Sequence, residues 1–343
     1  MPILSLNFGR SNFSALYLDE NNNQTYWTYR YTYLKALYSH FYTRDQFYTD
    51  IFNLFLKTNK IKTGSVAVIA TGYDLPITIG SDITFSLPIN EILSKIDNFN
   101  CIYIDKDKII TRNSVSDNNV DLNSILSSRE RNFMANYEFY KNISPTNLSQ
   151  FEAILSNIYN VISFQNVLLG LPPNKRLLFI SDLFNEKKHE YLSLSYFYLL
   201  SMITGKGVTK ISLDESDKII HLNLMRAYKS EYASIAESYM PSDLGTLINY
   251  PSEVSCLIKN EMSSPQLVDI KLGQIFFLPV DESAYLTINL KSGSDLLEQK
   301  VSGGKIGIII DTRVKDPLFY KNEDIKKDIE LNLKNLEEVL SRI

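Results

Sequence analysis

The N-terminus carries three strand-like runs, residues 3–8, 13–18 and 25–33, separated only by Gly9-Arg10-Ser11-Asn12 and by Asp19-Glu20-Asn21-Asn22-Asn23. Connections this short leave no route for a parallel crossover, so consecutive runs must pair antiparallel as a meander. A helical spacing follows through Phe47, Ile51, Leu54 and Phe55. After it come apolar strands at residues 65–70, closed by Thr71-Gly72, and at residues 101–104. Meander, helix and strands in this order define a first α/β lobe over residues 1–120.

Residues 117–128 are polar and turn-rich and mark the boundary to a second α/β lobe over residues 121–250. That lobe holds helical patterns at 133–140, 151–162 and 191–203 and strands at 176–180 and 208–213. After Pro251 the pattern changes to short β-runs at 267–272, 274–280, 284–290 and 305–310, broken by Gly273, Gly293 and Gly303-Gly304. They predict an antiparallel β-sandwich over residues 251–320. Residues 321–343 read as an amphipathic helix, with Ile325, Ile329, Leu333, Leu336, Leu340 and Ile343 at spacings of three and four. Such a helix docks on its own domain or self-associates through Ile329, Leu333, Leu336 and Leu340.

The 343 residues suit about two or more domains, and 44% hydrophobic with 22% charged content is that of an ordinary folded chain. Lys+Arg 35 against Asp+Glu 39 gives a net charge of -4, poorly suited to a phosphate backbone, so no nucleic-acid partner is expected. Cys101 and Cys256 form no CxxC pair, which excludes a disulfide framework or zinc ribbon and points to a reduced cytoplasm. The opening Met1-Pro2-Ile3-Leu4-Ser5-Leu6-Asn7 has no basic region and is not laid out as a secretory signal. The longest apolar stretch, residues 191–203, falls short of the roughly 20 residues that a membrane span needs.

No catalytic residue and no metal ligand is assigned. His40, His189 and His221 lack ligand-spaced neighbours and read as structural, and GxSxG, HExxH and GxxxxGK[ST] are absent. Asp214, Glu215 and Asp217 read as caps of a following helix rather than magnesium ligands, and Gly205-Lys206-Gly207 as a helix C-cap. Asp311 and Arg313 suggest a surface ion pair worth under about 1 kcal/mol. Trp27, Tyr29, Tyr31 and Tyr33 share one strand face. That face is either a binding surface or buried against a helix, with 191–203 as the candidate cover.

The first hairpin turn has two readings. Gly9 beside Ser11 and Asn12 makes an ordinary β-turn, and the same residues can aim backbone N–H groups and a hydroxyl at an anion. Strand, Gly-Ser turn, strand, turn, strand and helix together resemble the phosphate-1 hairpin of the actin, sugar kinase and Hsp70 ATPase superfamily, whose pattern is Asp-x-Gly-x-Ser/Thr-x-x-Lys. Gly9 and Ser11 match it, while Asn7 stands in the place of the Asp and Ser14 where a Lys is common.

The resemblance implies a reduced actin-like, ribonuclease H-like core with a C-terminal β-sandwich and a terminal helix. It implies cofactor-binding positions at Asn7, Gly9, Arg10, Ser11 and Asn12, with inefficient hydrolysis because the carboxylate that organises magnesium waters is missing, and with weak ATP binding at most because the adenosine turn lacks its glycines. Gly207-Val208-Thr209, Ile211-Ser212-Leu213-Asp214 and Gly303-Gly304-Lys305-Ile306-Gly307 through Asp311-Thr312-Arg313 are similar to the C-terminal part of the glutamate mutase L family. Those proteins are reactivating factors for a cobalamin-dependent mutase. Ser181-Asp182-Leu183-Phe184 replaces that family's glycine-rich adenosine turn.

The resemblance therefore implies a cytoplasmic chaperone-like or scaffold protein, a pseudo-ATPase acting on an unidentified protein partner. The alternatives are an active ATP-dependent reactivating factor and a structural subunit of an actin-like assembly. Asn7→Asp is expected to be neutral in a scaffold and activating in a crippled ATPase.

Overall fold

A computed structural model describes residues 2–9, 12–30, 43–72, 82–105, 108–111, 115–117, 176–180, 205–214, 216–259, 264–280 and 285–313. The architecture is mixed α/β, with three sheets and few helices among the described residues. The first sheet contains β1 (Ile3–Phe8), β2 (Asn12–Leu18), β3 (Gln24–Arg30), β4 (Ala67–Gly72) and β5 (Phe85–Pro88), in the order β3-β2-β1-β4-β5. The expected meander is present, since β1–β2 and β2–β3 pair antiparallel. β4 runs parallel to β1 and β5 parallel to β4, so β2 alone opposes the rest.

Period-two alternation splits β1 and β2 between two buried faces. Leu4, Leu6, Phe8, Phe13 and Ala15 face α1 (Arg44–Asn59), which contributes Tyr48, Phe52 and Phe55. A capping box, Thr43 with Gln46, starts that helix, and Lys60 in the left-handed conformation ends it. Trp27 packs edge-on against Phe55 with ring centroids 5.2 Å apart, and Tyr29 lies 6.3 Å from Phe13. Among the described residues α1 thus packs against Trp27 and Tyr29, while residues 191–203, the candidate cover, lie outside the described residues with Tyr31 and Tyr33.

The remaining strands are β6 (Asn100–Asp105), β7 (Lys108–Thr111), β8 (Val115–Asp117), β9 (Arg176–Ile180), β10 (Gly207–Asp214), β11 (Ser242–Asn249), β12 (Val254–Lys259), β13 (Gln266–Ile270), β14 (Ile275–Leu278), β15 (Tyr285–Ser292), β16 (Asp295–Ser302) and β17 (Gly307–Asp311). Eight of them form a second sheet, β14-β17-β11-β10-β9-β6-β7-β8, and four form a third, β13-β12-β15-β16. Between the first and second sheets lie α2 (Ile89–Ser94), α3 (Lys218–Tyr228) and α4 (Ala233–Ser238). There Ile92, Ile220, Leu224 and Met225 join Ile3, Leu16 and Ile69 of one sheet to Cys101, Tyr103, Leu178 and Ile180 of the other. On the far face of the second sheet, Val208, Ile248, Ile308 and Ile310 pack against Val254, Cys256, Ile288 and Leu290 of the third.

Residues 251–320 thus do not close a sandwich of their own. Gly307–Asp311 is buried throughout, the mark of an inner strand, and β17 pairs parallel with β11 in the second sheet, taking β14 with it. The strand expected at 101–104 within the first lobe likewise joins the second sheet, parallel to β9. The helices expected at 133–140, 151–162 and 321–343 lie outside the described residues, as does all of the 117–128 boundary except Asp117.

One glycine fixes the entry to β17. Gly304 has φ +58, and an added Cβ would stand 2.6 Å from the Asp243 carbonyl oxygen and 2.7 Å from the Leu244 carbonyl carbon. Gly304→Ala is expected to destabilise the protein by about 1–3 kcal/mol in urea unfolding. Gly64→Ala, where nothing lies within 4 Å of the new methyl, should stay within about 0.5 kcal/mol.

Candidate functional site: a buried polar cluster under the first hairpin

The inner face of β1 and β2 is apolar at one end, through Ile3, Leu16 and Leu18, and polar at the other, through Ser5, Asn7, Asn12 and Ser14. The polar end is covered by the start of α3, which brings Asp217 and His221 one helical turn apart on one face. Asp214, at the end of β10, prepares that start. Its Oδ2 accepts from the Ile219 backbone N–H at 2.7 Å, and its Oδ1 from Ser216 N–H at 3.2 Å and Tyr239 O–H at 3.0 Å. The capping expected of the acidic cluster thus comes from Asp214. Asp217 occupies the N-cap position with φ 53 and makes no capping bond with its side chain. A non-glycine residue held there costs on the order of 1 kcal/mol, and the carboxylate is turned toward the hairpin.

Asp217 is 2% exposed. Its Oδ2 accepts from Asn7 Nδ2 at 3.2 Å, from Asn12 Nδ2 at 3.2 Å and, at the long limit, from Ser14 Oγ at 3.5 Å. Asn7 Nδ2 also lies 3.2 Å from the Tyr103 hydroxyl of β6. His221 has no exposure, and its Nδ1 and Nε2 each lie 2.9 Å from a serine hydroxyl, those of Ser5 and Ser14. One tautomer satisfies all three side chains. Ser14 donates to Asp217 and accepts from Nε2–H, while Ser5 donates to Nδ1.

Burial holds His221 down to about 3, so the ring is neutral near pH 7. Burial, and then the Asp217 charge, push the Tyr26 phenol far up, and burial with the Asp214 charge raises the Cys101 thiol to about 12. A serine 2.9 Å from a histidine is the geometry of an activated nucleophile, but Ser5 has no exposure and no substrate carbonyl can reach it.

Two of the expected cofactor positions, Asn7 and Asn12, are therefore brought together, facing inward. Their amide oxygens, Oδ1 in each, are buried without a hydrogen-bond partner. Gly9 sits at the turn with its carbonyl accepting from Tyr48 O–H at 2.9 Å. A Cβ there would clash with Asn12 Oδ1 and come within 3.2 Å of the Tyr103 hydroxyl. Arg10 and Ser11 lie outside the described residues. His221, read from the sequence as structural, belongs to the cluster, as do Tyr103 and Ser5, the latter marked in the sequence only by the Ser/Asn alternation on β1 and β2. The Asp311–Arg313 pair, expected at the surface, is instead bidentate, at 3.0 Å and 2.8 Å, on a carboxylate with no exposure.

Among the described residues, no group of three or more His, Cys, Asp or Glu could hold a metal ion, and no helix is long and apolar enough to cross a membrane. No family model matches the chain, and no curated protein matches it.

The buried ring makes stability depend on pH with a defined sign. Between the free histidine value of 6.5 and the folded value of about 3, the unfolded chain holds the extra proton. Stability is complete above the first value and is lost as pH falls toward the second. Urea unfolding should show a loss of about 2–3 kcal/mol between roughly pH 6.5 and 4.5, and His221→Gln, which keeps one donor and one acceptor, should remove most of that slope.

Proposed function

We propose that this chain is a chaperone-like or scaffold protein built on a reduced actin-like core, resembling the glutamate mutase L family, in which the former nucleotide hairpin serves as a structural joint. The sheet order β3-β2-β1-β4-β5 with β2 alone reversed, and α1 between the meander and β4, supports a ribonuclease H-like core. The observation that carries the functional reading is the Asp217 carboxylate seated beneath the first hairpin, bound by the amides of Asn7 and Asn12. Donors that would face a phosphate in an ATPase are committed to a protein anion, and a buried negative charge beside the turn opposes a second one. Action through a protein partner follows as the remaining use of a retained scaffold. A cytoplasmic setting belongs to the same proposal, supported by the free, buried thiols of Cys101 and Cys256.

The second reading, an active ATP-dependent reactivating factor, has one observation in its favour. Asp217 places a carboxylate beside Asn7, where the superfamily pattern has its own Asp. Calorimetric titration with ATP and magnesium separates the two. The scaffold reading predicts no heat, whereas micromolar binding that weakens in Arg10→Ala would favour the ATP-dependent reading.

The geometry also revises what Asn7→Asp should do. A second carboxylate 3.2 Å from Asp217 replaces a donor with a like charge, so the change is destabilising rather than neutral. Urea unfolding should show a loss on the order of 3–5 kcal/mol, unrelieved by magnesium. Recovery of stability in magnesium would favour the ATPase.

A further inference from the structure

We propose that the side-chain donors beneath the first hairpin form a binding site for a small oxyanion, and that Asp217 occupies this site in cis as an autoinhibitory contact. An asparagine amide can turn either its oxygen or its nitrogen to a neighbour, and the surrounding network decides which. At Asn7 and Asn12 both nitrogens face the Asp217 carboxylate, while both Oδ1 atoms are buried without a hydrogen-bond partner. With Ser14 donating from a third position, the donors converge on one oxygen, Asp217 Oδ2. Two oxygens are left unmatched so that two N–H groups meet a negative charge, an arrangement that selects an anion over a cation.

The carboxylate is a replaceable part of this arrangement. The start of α3 does not depend on it, because Asp214 accepts from the Ile219 N–H, and the Asp217 backbone carbonyl accepts from the Ile220 and His221 N–H groups at 3.0 Å and 3.3 Å. The Asp217 side chain makes no capping bond, and its φ of 53 is one that glycine adopts without strain. The contacts to the donors, at 3.2, 3.2 and 3.5 Å, exceed the roughly 2.7–2.9 Å of charge-assisted bonds. A tethered oxygen stands where the backbone puts it, and an untethered formate can settle closer to all three donors. Asn7, Asn12 and Asp217 are all buried, so the space on offer is that of the lost side chain, which suits formate and is too small for a phosphate group. In the wild type the tether gives the carboxylate a high effective concentration, and no free anion displaces it.

This inference deepens the scaffold reading and rests on it for what keeps the site shut, yet the two fail separately. Heat from ATP and magnesium on the wild type speaks against the reading, whereas the inference is decided by Asp217→Gly, which removes the carboxylate and keeps the backbone. Urea unfolding of the full chain is followed in sodium formate and in sodium chloride at equal ionic strength. Formate at about 100 mM should raise the midpoint of Asp217→Gly by roughly 0.3–0.5 M urea over chloride, and should leave the wild type unmoved. Adding Asn12→Ala to the variant should abolish the response, because one of the donors is gone. If Asp217→Gly needs an added anion to fold, folding in formate and not in chloride is the same result. Equal midpoints in the two salts overturn the proposal, as does a variant unfolded in both. So does a wild type that responds as strongly, or a response that survives Asn12→Ala.

Discussion

A carboxylate removed from water must find donors inside the protein, and the placement of Asp217 makes this the constraint on which the centre of the molecule depends. The residue is held at positive φ at the head of α3 and points away from its own helix, into the polar end of the first sheet. Asn7 and Asn12 donate to it from two adjacent strands, and Ser14 links it to the neutral ring of His221 one turn further on. These bonds fix the height and rotation of α3 against β1 and β2. The same helix carries Ile220, Leu224 and Met225 into the core shared with the second sheet. The polar cluster thus sets the geometry, and the apolar residues beside it supply most of the burial energy.

The cluster also governs the hairpin above it. Gly9 has room for no side chain beneath Asn12 and Tyr103, and its carbonyl is tied to Tyr48 on the opposite face. Gly9 is thus held from both sides of the sheet. At Asn7 and Asn12 the side-chain donors point inward, to Asp217. The third sheet lies on the far side of the second, away from this joint.

Much of the fold was legible because it is local. The three-stranded meander followed from two short turns, and the strand at Arg176–Ile180 from its apolar run. What failed to read was partnership between distant segments. Residues 307–311 and 275–278 carry the pattern of a small sandwich, yet pair into the large sheet, because β-runs do not state which sheet they enter. The candidate site shows the same limit. Asn7, Gly9 and Asn12 could be named from the turn, whereas Asp217 and His221 lie more than two hundred positions away. The alternation of Leu4, Leu6 and Phe8 with Ser5 and Asn7 looks like a strand with one wet face. Serine and asparagine, in place of the charged residues that solvent tolerates, were the available sign that this face is buried.

The central claim is that His221 is a fixed, neutral member of a closed polar joint. Nitrogen-15 NMR of its ring tests this directly, because the two ring nitrogens report charge and tautomer separately. The account predicts a single Nε2–H tautomer, unchanged between about pH 5 and 8 and unmoved by ATP with magnesium. A ring that titrates near the free value, or that shifts when the nucleotide is added, would contradict it.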